Sequence, residues 1–186
     1  MRKTLTAIAA LTASSVAAQD GPGPNLVIDV AGVANGRIVI DMLEDVAPQH
    51  VAQITELAEE GAYNGVAFHR VIEGFMAQTG DVSCGKAGAT CPPGTGGSDR
   101  ADLPAEFSDV PYDRGIVGMA RAQNPNSANS QFFIMFAEGY FLNGQYTVVG
   151  RVIEGMDIVD AIKRGDGPNG SVVGAADIMQ TVTVER

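Results

Sequence analysis

The stretch FHRVIEGFMAQTGD, from Phe68 to Asp81, decides how the rest of this chain is interpreted. It places a histidine, an arginine, a glutamine and an acid among residues that suit a buried strand. In a regular strand Phe68 and Arg70 would share one face and His69 would point to the other, so Arg70 and His69 should not act together. Gly74 interrupts the run, so the alternation cannot be extended beyond it.

Strand-like segments lie on both sides of this stretch. LVIDVA and GRIVIDML come before it and predict a hairpin, because a short Gly-containing segment separates them. VAFHRVI and FMAQTG overlap the stretch itself, and RGIVGMA, QFFIMFA, YTVVGRVI and IMQTVTVE follow it. A Gly-rich segment over residues 82–103 is predicted to be a long loop, and we expect Asp81 to close the turn that leads into it.

Two segments have helical periodicity instead. In PQHVAQITELAEEG the apolar residues fall on one stripe, with Pro48 in the first turn and Gly61 at the stop. MDIVDAIKRG carries Asp157 early and Lys163 and Arg164 late, which suits the helix dipole. Many strands, two helices and no regular strand–helix alternation predict a mostly β fold, with an antiparallel sheet closed into a barrel.

The composition is that of one globular domain. The chain has 186 residues, of which 45% are hydrophobic and 18% charged. Its formal net charge is -10, and an acidic protein repels phosphate backbones, so we expect no nucleic-acid partner.

The first residues have the pattern of an export signal. MRKTLTAIAALTASSVAAQD runs from two basic residues through an apolar segment to small residues. We expect a signal peptide over residues 1–18, cleaved after Ala17 or Ala18, then a flexible leader over 19–25 and the folded domain over 26–186. The expected location is therefore the periplasm. No later segment approaches about 18 uninterrupted apolar residues, so stable membrane insertion is not expected.

The two cysteines, Cys84 and Cys91, lie in CGKAGATC. An even pair in an exported protein favours a disulfide across this short loop. The alternative is a metal site, but two thiols and the two histidines of the chain, His50 and His69, supply too few neighbouring ligands for zinc. We expect no metal ion and no cofactor. The loop is either a stapled surface insertion or a segment beside a binding groove.

Hydrolytic and nucleotide-binding motifs are not evident in the sequence. It contains neither a G-x-S-x-G elbow nor an H-E-x-x-H helix. GDGPNG, from Gly165 to Gly170, matches G-x-G-x-x-G in letters only, because a predicted helix precedes it and Pro168 lies inside it. We predict a turn there. On composition alone His69 would be a packed histidine, and Phe75, Met76, Phe132, Phe133 and Leu142 would be core residues.

A family resemblance changes that interpretation. FHRVIEGFMAQTGD resembles the signature of the cyclophilin-type peptidyl-prolyl cis/trans isomerases, which runs F-H-R, two aliphatic residues, then G-F-M-x-Q-x-G-D. The similarity continues through GAYNGVAFHR, AEF, RGIVGMARAQNPNSANSQFFIMF and FLNGQYTVVGRVIEGMDIVDAI, and it covers nearly all of the chain from Leu26 to Arg186. It implies a closed eight-stranded antiparallel β-barrel capped by two α-helices.

The resemblance also implies the site. By position in the family's motifs, the catalytic arginine is Arg70 and the substrate-contacting glutamine is Gln78. The residues implied to bind substrate are Phe75, Met76, Phe133 and Leu142 in a proline pocket, Ala120 and Arg121 along the substrate backbone, and Phe141 and Tyr146 at the rim. Three of these depart from common family choices: Arg121 replaces an asparagine, Phe141 a tryptophan and Tyr146 a histidine.

The resemblance implies an isomerase that acts on X-Pro bonds in unfolded exported proteins and binds proline-containing peptides. The alternative is a proline-binding chaperone module with little turnover, for which the unusual residues Arg121, Asn129, Phe141 and Tyr146 are the sequence evidence. We expect a monomer. Because the rim tryptophan supports cyclosporin binding in the family, Phe141 implies weak inhibition by that drug.

Overall fold

The computed structural model describes residues 20–186, in which nine strands and two α-helices are formed. The strands are β1 (Asn25–Ala31), β2 (Gly36–Met42), β3 (Val66–Ala67), β4 (Arg70–Ile72), β5 (Met76–Thr79), β6 (Ile116–Met119), β7 (Phe132–Met135), β8 (Val148–Glu154) and β9 (Ile178–Glu185). The helices are α1 (Pro48–Glu59) and α2 (Met156–Ala161).

The strands form one antiparallel sheet in the order β3-β9-β1-β2-β8-β6-β7-β5-β4. Its two edge strands, β3 and β4, are consecutive in the chain and are separated by Phe68 and His69 alone. The sheet must therefore curl until its ends are neighbours. The predicted single strand VAFHRVI is split at this point, so the count is nine strands instead of the predicted eight, and within residues 20–186 no ladder pairs β3 with β4.

The break has a local cause. At Phe68 and His69 the backbone leaves the ladder and bonds elsewhere: the Phe68 N–H donates to the Asp177 carbonyl, and the His69 carbonyl accepts from Val172. Phe68 consequently packs in the main core with Val71. Strict alternation had predicted that Phe68 would share a face with Arg70, and this prediction is wrong. The prediction failed because alternation holds only along an uninterrupted strand.

The helices pack against the sheet, α1 against β9 and α2 against β2. As predicted, Pro48 begins α1, whose apolar stripe is buried. The second helix is shorter than MDIVDAIKRG suggested, because the backbone at Ile162 turns extended and its side chain is buried in the main core. Lys163 and Arg164 therefore lie beyond the helix, and the Lys163 amine donates to the carbonyls of Val173 and Ala175.

The sheet separates two apolar clusters. The main one lies between the sheet and α1, and the smaller one, which includes Met76, Phe133 and Leu142, lies on the opposite face. Along β5 and β7 successive side chains alternate between them: Ala77 and Ile134 belong to the main core, whereas Met76 and Phe133 belong to the smaller cluster. The alternation thus builds a second apolar surface.

Within the long loop, the predicted disulfide joins Cys84 to Cys91. Asp81, fully buried, accepts hydrogen bonds from the backbone N–H groups of Cys84, Gly94 and Gly96. It therefore ties the start of the loop to Gly94 and Gly96 in its interior.

The predicted signal peptide, residues 1–18, lies outside the described residues. The last residues of the predicted leader are pinned to the sheet: Asn25 already belongs to β1, and the Pro24 carbonyl accepts a hydrogen bond from Met42. No helix within residues 20–186 is long and apolar enough to cross a membrane.

Candidate active site

A cavity of about 220 Å³ opens over the smaller apolar cluster. The residues that line it are Arg70, Phe75, Met76, Gln78, Ala120, Arg121, Phe133, Phe141, Leu142 and Tyr146. They are the ten residues that the family resemblance implied to be catalytic or substrate-binding. The fold therefore brings together side chains from β4, β5 and β7, from the turn before β5, and from the segments that follow β6 and precede β8.

The floor of the cavity is apolar and tightly packed. Met76, Phe133 and Leu142 are almost fully buried, and the Tyr112 ring stacks on Phe133 at a centroid distance of 5.8 Å. Burial raises the pKa of the Tyr112 hydroxyl, which therefore stays protonated. A side chain at Gly118 would clash, because its Cβ would lie 2.4 Å from the Tyr112 hydroxyl and 2.6 Å from the Phe133 ring. Glycine is thus required beneath the floor.

Aromatic side chains form the rim. The Phe141 ring lies 5.6 Å from the Phe75 ring, and the Tyr146 ring meets Phe133 edge to face at 6.0 Å. The Arg121 guanidinium lies over the Tyr146 ring, 4.4 Å from its centroid, and also donates to the Gln145 carbonyl. The unusual Arg121 and Tyr146 therefore contact each other at the rim.

The polar wall consists of Arg70 and Gln78, which lie opposite each other in the β4–β5 ladder. The Arg70 Nη1 group donates to Gln78 Oε1 at 3.2 Å. Arg70 also donates from Nε to the Asn169 carbonyl at 3.0 Å and from Nη2 to Asn169 Oδ1 at 3.1 Å. Burial lowers the pKa of Arg70, but a guanidinium keeps its charge at any physiological pH. Across residues 20–186 no carboxylate forms an ion pair with it.

Gln78 is held in turn by Gln131, a residue that the sequence did not single out. The Gln78 Nε2 group donates to Gln131 Oε1 at 2.9 Å, and Gln131 Nε2 donates to the carbonyls of Gly94 and Gly96. The long loop is therefore connected to Arg70 through two glutamines. Gln131 lies in the quoted family segment, but its partners are more than 30 residues away in sequence, so no local pattern could reveal them.

His69 does not line this cavity. It is only 8% exposed, and it lines a separate, mostly small-residue cavity with Pro93 and Val172. Burial lowers the pKa of His69 despite the opposing effect of the Asp81 charge. A neutral histidine outside the cavity fits the packing role expected for it.

A second cavity of about 440 Å³ adjoins the first and shares Gln78, Ala120 and Arg121 with it. Its other walls include the loop residues from Gly94 to Ser98, together with Asn129. Asn129, which the sequence suggested could reshape the proline pocket, lies here instead and binds Ser98 through its side-chain oxygen.

Comparisons with known proteins identify the family that this chain resembles. A family model described as "Cyclophilin type peptidyl-prolyl cis-trans isomerase/CLD" matches residues 26–185. A "Probable peptidyl-prolyl cis-trans isomerase" of Brucella suis is 53% identical over 190 residues, covering 100% of this chain and 96% of that protein. "Peptidyl-prolyl cis-trans isomerase B" of Escherichia coli is 39% identical over 69% of this chain and 79% of its own length.

Solved structures give the same result. A cyclophilin type peptidyl-prolyl cis-trans isomerase of Cryptosporidium parvum superposes with a TM-score of 0.75 at 25% identity, covering 87% of this chain and 97% of that one. A cyclophilin from Hirschia baltica gives a TM-score of 0.72 at 26% identity, covering 88% and 74%. The chain therefore belongs to the cyclophilin-type peptidyl-prolyl cis-trans isomerase family.

Proposed function

We propose that Arg70 carries the isomerase reaction at the 220 Å³ cavity by donating a hydrogen bond to the prolyl nitrogen of a bound X-Pro peptide. The observation that supports this most directly is a cationic donor without a carboxylate partner, within the described chain, at the wall of an apolar cavity. A Cryptosporidium parvum relative was crystallised in the presence of the dipeptide Ala-Pro, which supports proline as the bound residue.

The chemistry follows from amide resonance. Rotation about the peptide bond faces a barrier of about 18 to 20 kcal/mol, because conjugation between nitrogen and carbonyl must be broken. A hydrogen bond to the prolyl nitrogen favours the pyramidal, non-conjugated nitrogen of the twisted state. The apolar floor holds the proline ring while the preceding carbonyl turns. Only interactions that are stronger in the twisted state than in cis or trans accelerate the reaction.

Replacing Arg70 tests this role. A hydrogen bond to a charged group is worth about 1.5 to 3 kcal/mol, so Arg70→Ala should lower kcat/KM on an X-Pro peptide by roughly 10- to 200-fold while the protein stays folded. Exchange NMR or a protease-coupled assay measures the rate. Arg37→Ala is the matched control, because Arg37 forms a surface ion pair with Glu185 far from the cavity.

Two results would contradict the proposal. Unchanged turnover in Arg70→Ala would remove Arg70 from the mechanism. Binding of proline peptides without acceleration by the unmodified protein would favour the proline-binding chaperone module instead.

The reaction needs no titrating base, so the isomerase rate should also stay nearly constant from about pH 6 to 8.

The proposed substrates are unfolded exported proteins, and the proposed location is the periplasm. The signal-like pattern of residues 1–18 and the disulfide between Cys84 and Cys91 support export, because disulfides persist in oxidising compartments. Cell fractionation with N-terminal sequencing of the mature protein tests the location.

A further inference from the structure

The turn GDGPNG, which matches a nucleotide-binding motif in letters only, lies against the strand that carries Arg70. The Gly165 N–H donates to the Val71 carbonyl at 2.9 Å, and the Val172 N–H donates to the His69 carbonyl at 3.0 Å. Ser171 forms an isolated bridge with Arg70 itself. Because these bonds engage both neighbours of Arg70, the turn is held in a defined position beside its side chain.

Asn169 is the residue of this turn that contacts the guanidinium. It accepts from Arg70 Nε through its backbone carbonyl at 3.0 Å and from Nη2 through its side-chain oxygen at 3.1 Å. With Gln78 on Nη1, three of the five N–H groups of Arg70 have acceptors, and one on each Nη remains for a substrate. Asn169 therefore occupies one side of the guanidinium fork and leaves donors for the reaction.

The backbone of Asn169 is unusual. With φ at 55°, it is the one non-glycine residue in the left-handed region among residues 20–186. Asparagine tolerates this region better than most residues. The conformation lets both oxygens of a single residue reach one guanidinium.

All three acceptors on Arg70 are neutral. A carboxylate in the same place would orient the guanidinium but would also cancel the charge that the twisted prolyl nitrogen needs. A free arginine side chain, by contrast, samples many rotamers, and ordering it during each turnover costs entropy. A neutral residue that holds the side chain in advance avoids both costs.

We infer that Asn169 is a positioning residue for the isomerase reaction, which fixes the Arg70 guanidinium in the orientation that addresses the prolyl nitrogen. This inference rests on the proposed function of Arg70. Asn169 itself does not line the cavity, whose apolar residues hold the proline ring. Its loss should therefore lower kcat and leave KM nearly unchanged.

Asn169→Gly separates this role from a purely structural one. Glycine adopts a positive φ more readily than asparagine, so the turn and its backbone carbonyl should keep their places while the side-chain acceptor is lost. We expect kcat to fall roughly 3- to 10-fold, with KM changed less than about twofold. The NMR signals of the Arg70 guanidinium should shift or broaden, because its Nη2 group loses its acceptor. A residue needed only for the turn would show no loss with glycine.

Two further proteins complete the test. Asp166→Ala removes the hydrogen bond from Val173 within the same turn without contacting Arg70, so it measures the effect of a looser turn alone and should retain the original kcat. In the Arg70→Ala background, Asn169→Gly should cost nothing further, because its effect passes through Arg70.

The inference is overturned if Asn169→Gly keeps the original kcat and Arg70 signal, or if it costs as much in the Arg70→Ala background as in the original protein. These results are distinct from a failure of the proposed function, which would appear as unchanged turnover in Arg70→Ala itself.

Discussion

Phe141 shows how one side chain at the rim can decide which ligands the site accepts. It is 68% exposed, and its ring contacts the cavity through Phe75. A residue so exposed contributes little to folding, so its size and polarity can change without disturbing the floor. Phenylalanine lacks the N–H donor that an indole would add at this position.

We therefore predict that Phe141→Trp strengthens cyclosporin inhibition. The larger ring and its donor should tighten binding by about tenfold, whereas turnover of a small X-Pro peptide should change by less than about twofold. The chain has no tryptophan, so the introduced indole gives a direct fluorescence titration. Nanomolar inhibition of the unmodified protein would contradict the premise that Phe141 weakens binding.

Arg121 is a second rim residue, and its contacts explain why an arginine can be accommodated at this position. Its guanidinium lies over Tyr146 and donates to carbonyls of Gln145, Ala122 and Gln123. These contacts hold the side chain along the rim between the two cavities, which both include Arg121 in their walls. The arginine therefore replaces the family's asparagine without filling the proline pocket.

Among the elements, the loop over residues 82–103 is connected to the site through Gln131 and Gln78. The disulfide and the Asp81 carboxylate hold the part of the loop from Cys84 to Gly96, and the carbonyls of Gly94 and Gly96 accept hydrogen bonds from Gln131. The same loop forms much of the wall of the 440 Å³ cavity. These contacts favour a segment beside the groove over a surface insertion without effect on the site.

Opening the disulfide should therefore change substrate discrimination as well as stability. In a variant with both Cys84→Ala and Cys91→Ala, we expect the free energy of unfolding to fall by somewhat less than the ~3 kcal/mol of a 15-residue ring. The ratios of kcat/KM among peptides that differ in the residue before proline should shift by about twofold or more, equivalent to about 0.4 kcal/mol. Steady-state assays on such a peptide series measure this.

The control for that experiment is the unmodified protein with and without a reductant, which opens the same ring without a substitution. A uniform decrease for every peptide would mean that the loop contributes only stability.

For the whole molecule, buried titratable groups set the dependence of stability on pH. Burial lowers the pKa of His69 below its ordinary 6.5. Burial by itself would raise the pKa values of Asp81 and Glu106, but hydrogen bonds from neighbouring N–H groups lower both overall. For Glu106 the donors include the His50 ring and the first backbone N–H groups of α1.

The sign of each contribution to stability depends on whether the folded or the unfolded state binds the proton at the higher pH. All three groups have lower pKa values in the folded protein than in the unfolded chain, so the unfolded state takes up protons first as the pH falls. The free energy of unfolding should decline below about pH 6.5 because of His69, and decline further below about pH 4 because of Asp81 and Glu106.

Urea unfolding at a series of pH values checks this. In His69→Gln the decline between about pH 6.5 and 5 should be smaller, and in Glu106→Gln the decline below about pH 4 should be smaller. The comparison uses the slope with pH, because each substitution also changes stability at neutral pH. A His69→Gln protein with an unchanged slope would contradict the assignment.

Much of the architecture could be predicted from sequence, because the patterns that specify it are local. Strand-like segments around a short Gly-containing connection marked β1 and β2, a helical stripe marked α1, and GDGPNG was correctly interpreted as a turn. The family resemblance named the ten residues that the fold gathers around one cavity. Each of these signals is contained in a short window or in the order of motifs along the chain.

Other features depended on contacts between distant residues. The split at Phe68 and His69 arises because the chain leaves one edge of the sheet and enters the other, and the early end of α2 depends on burial of Ile162. Asn169 meets Arg70 across 99 residues of sequence. Periodicity reports which face of an element is buried, but it carries no information about which distant side chain lies opposite. That pairing was settled only by the curl of the sheet, which brings β4 and the turn after α2 together.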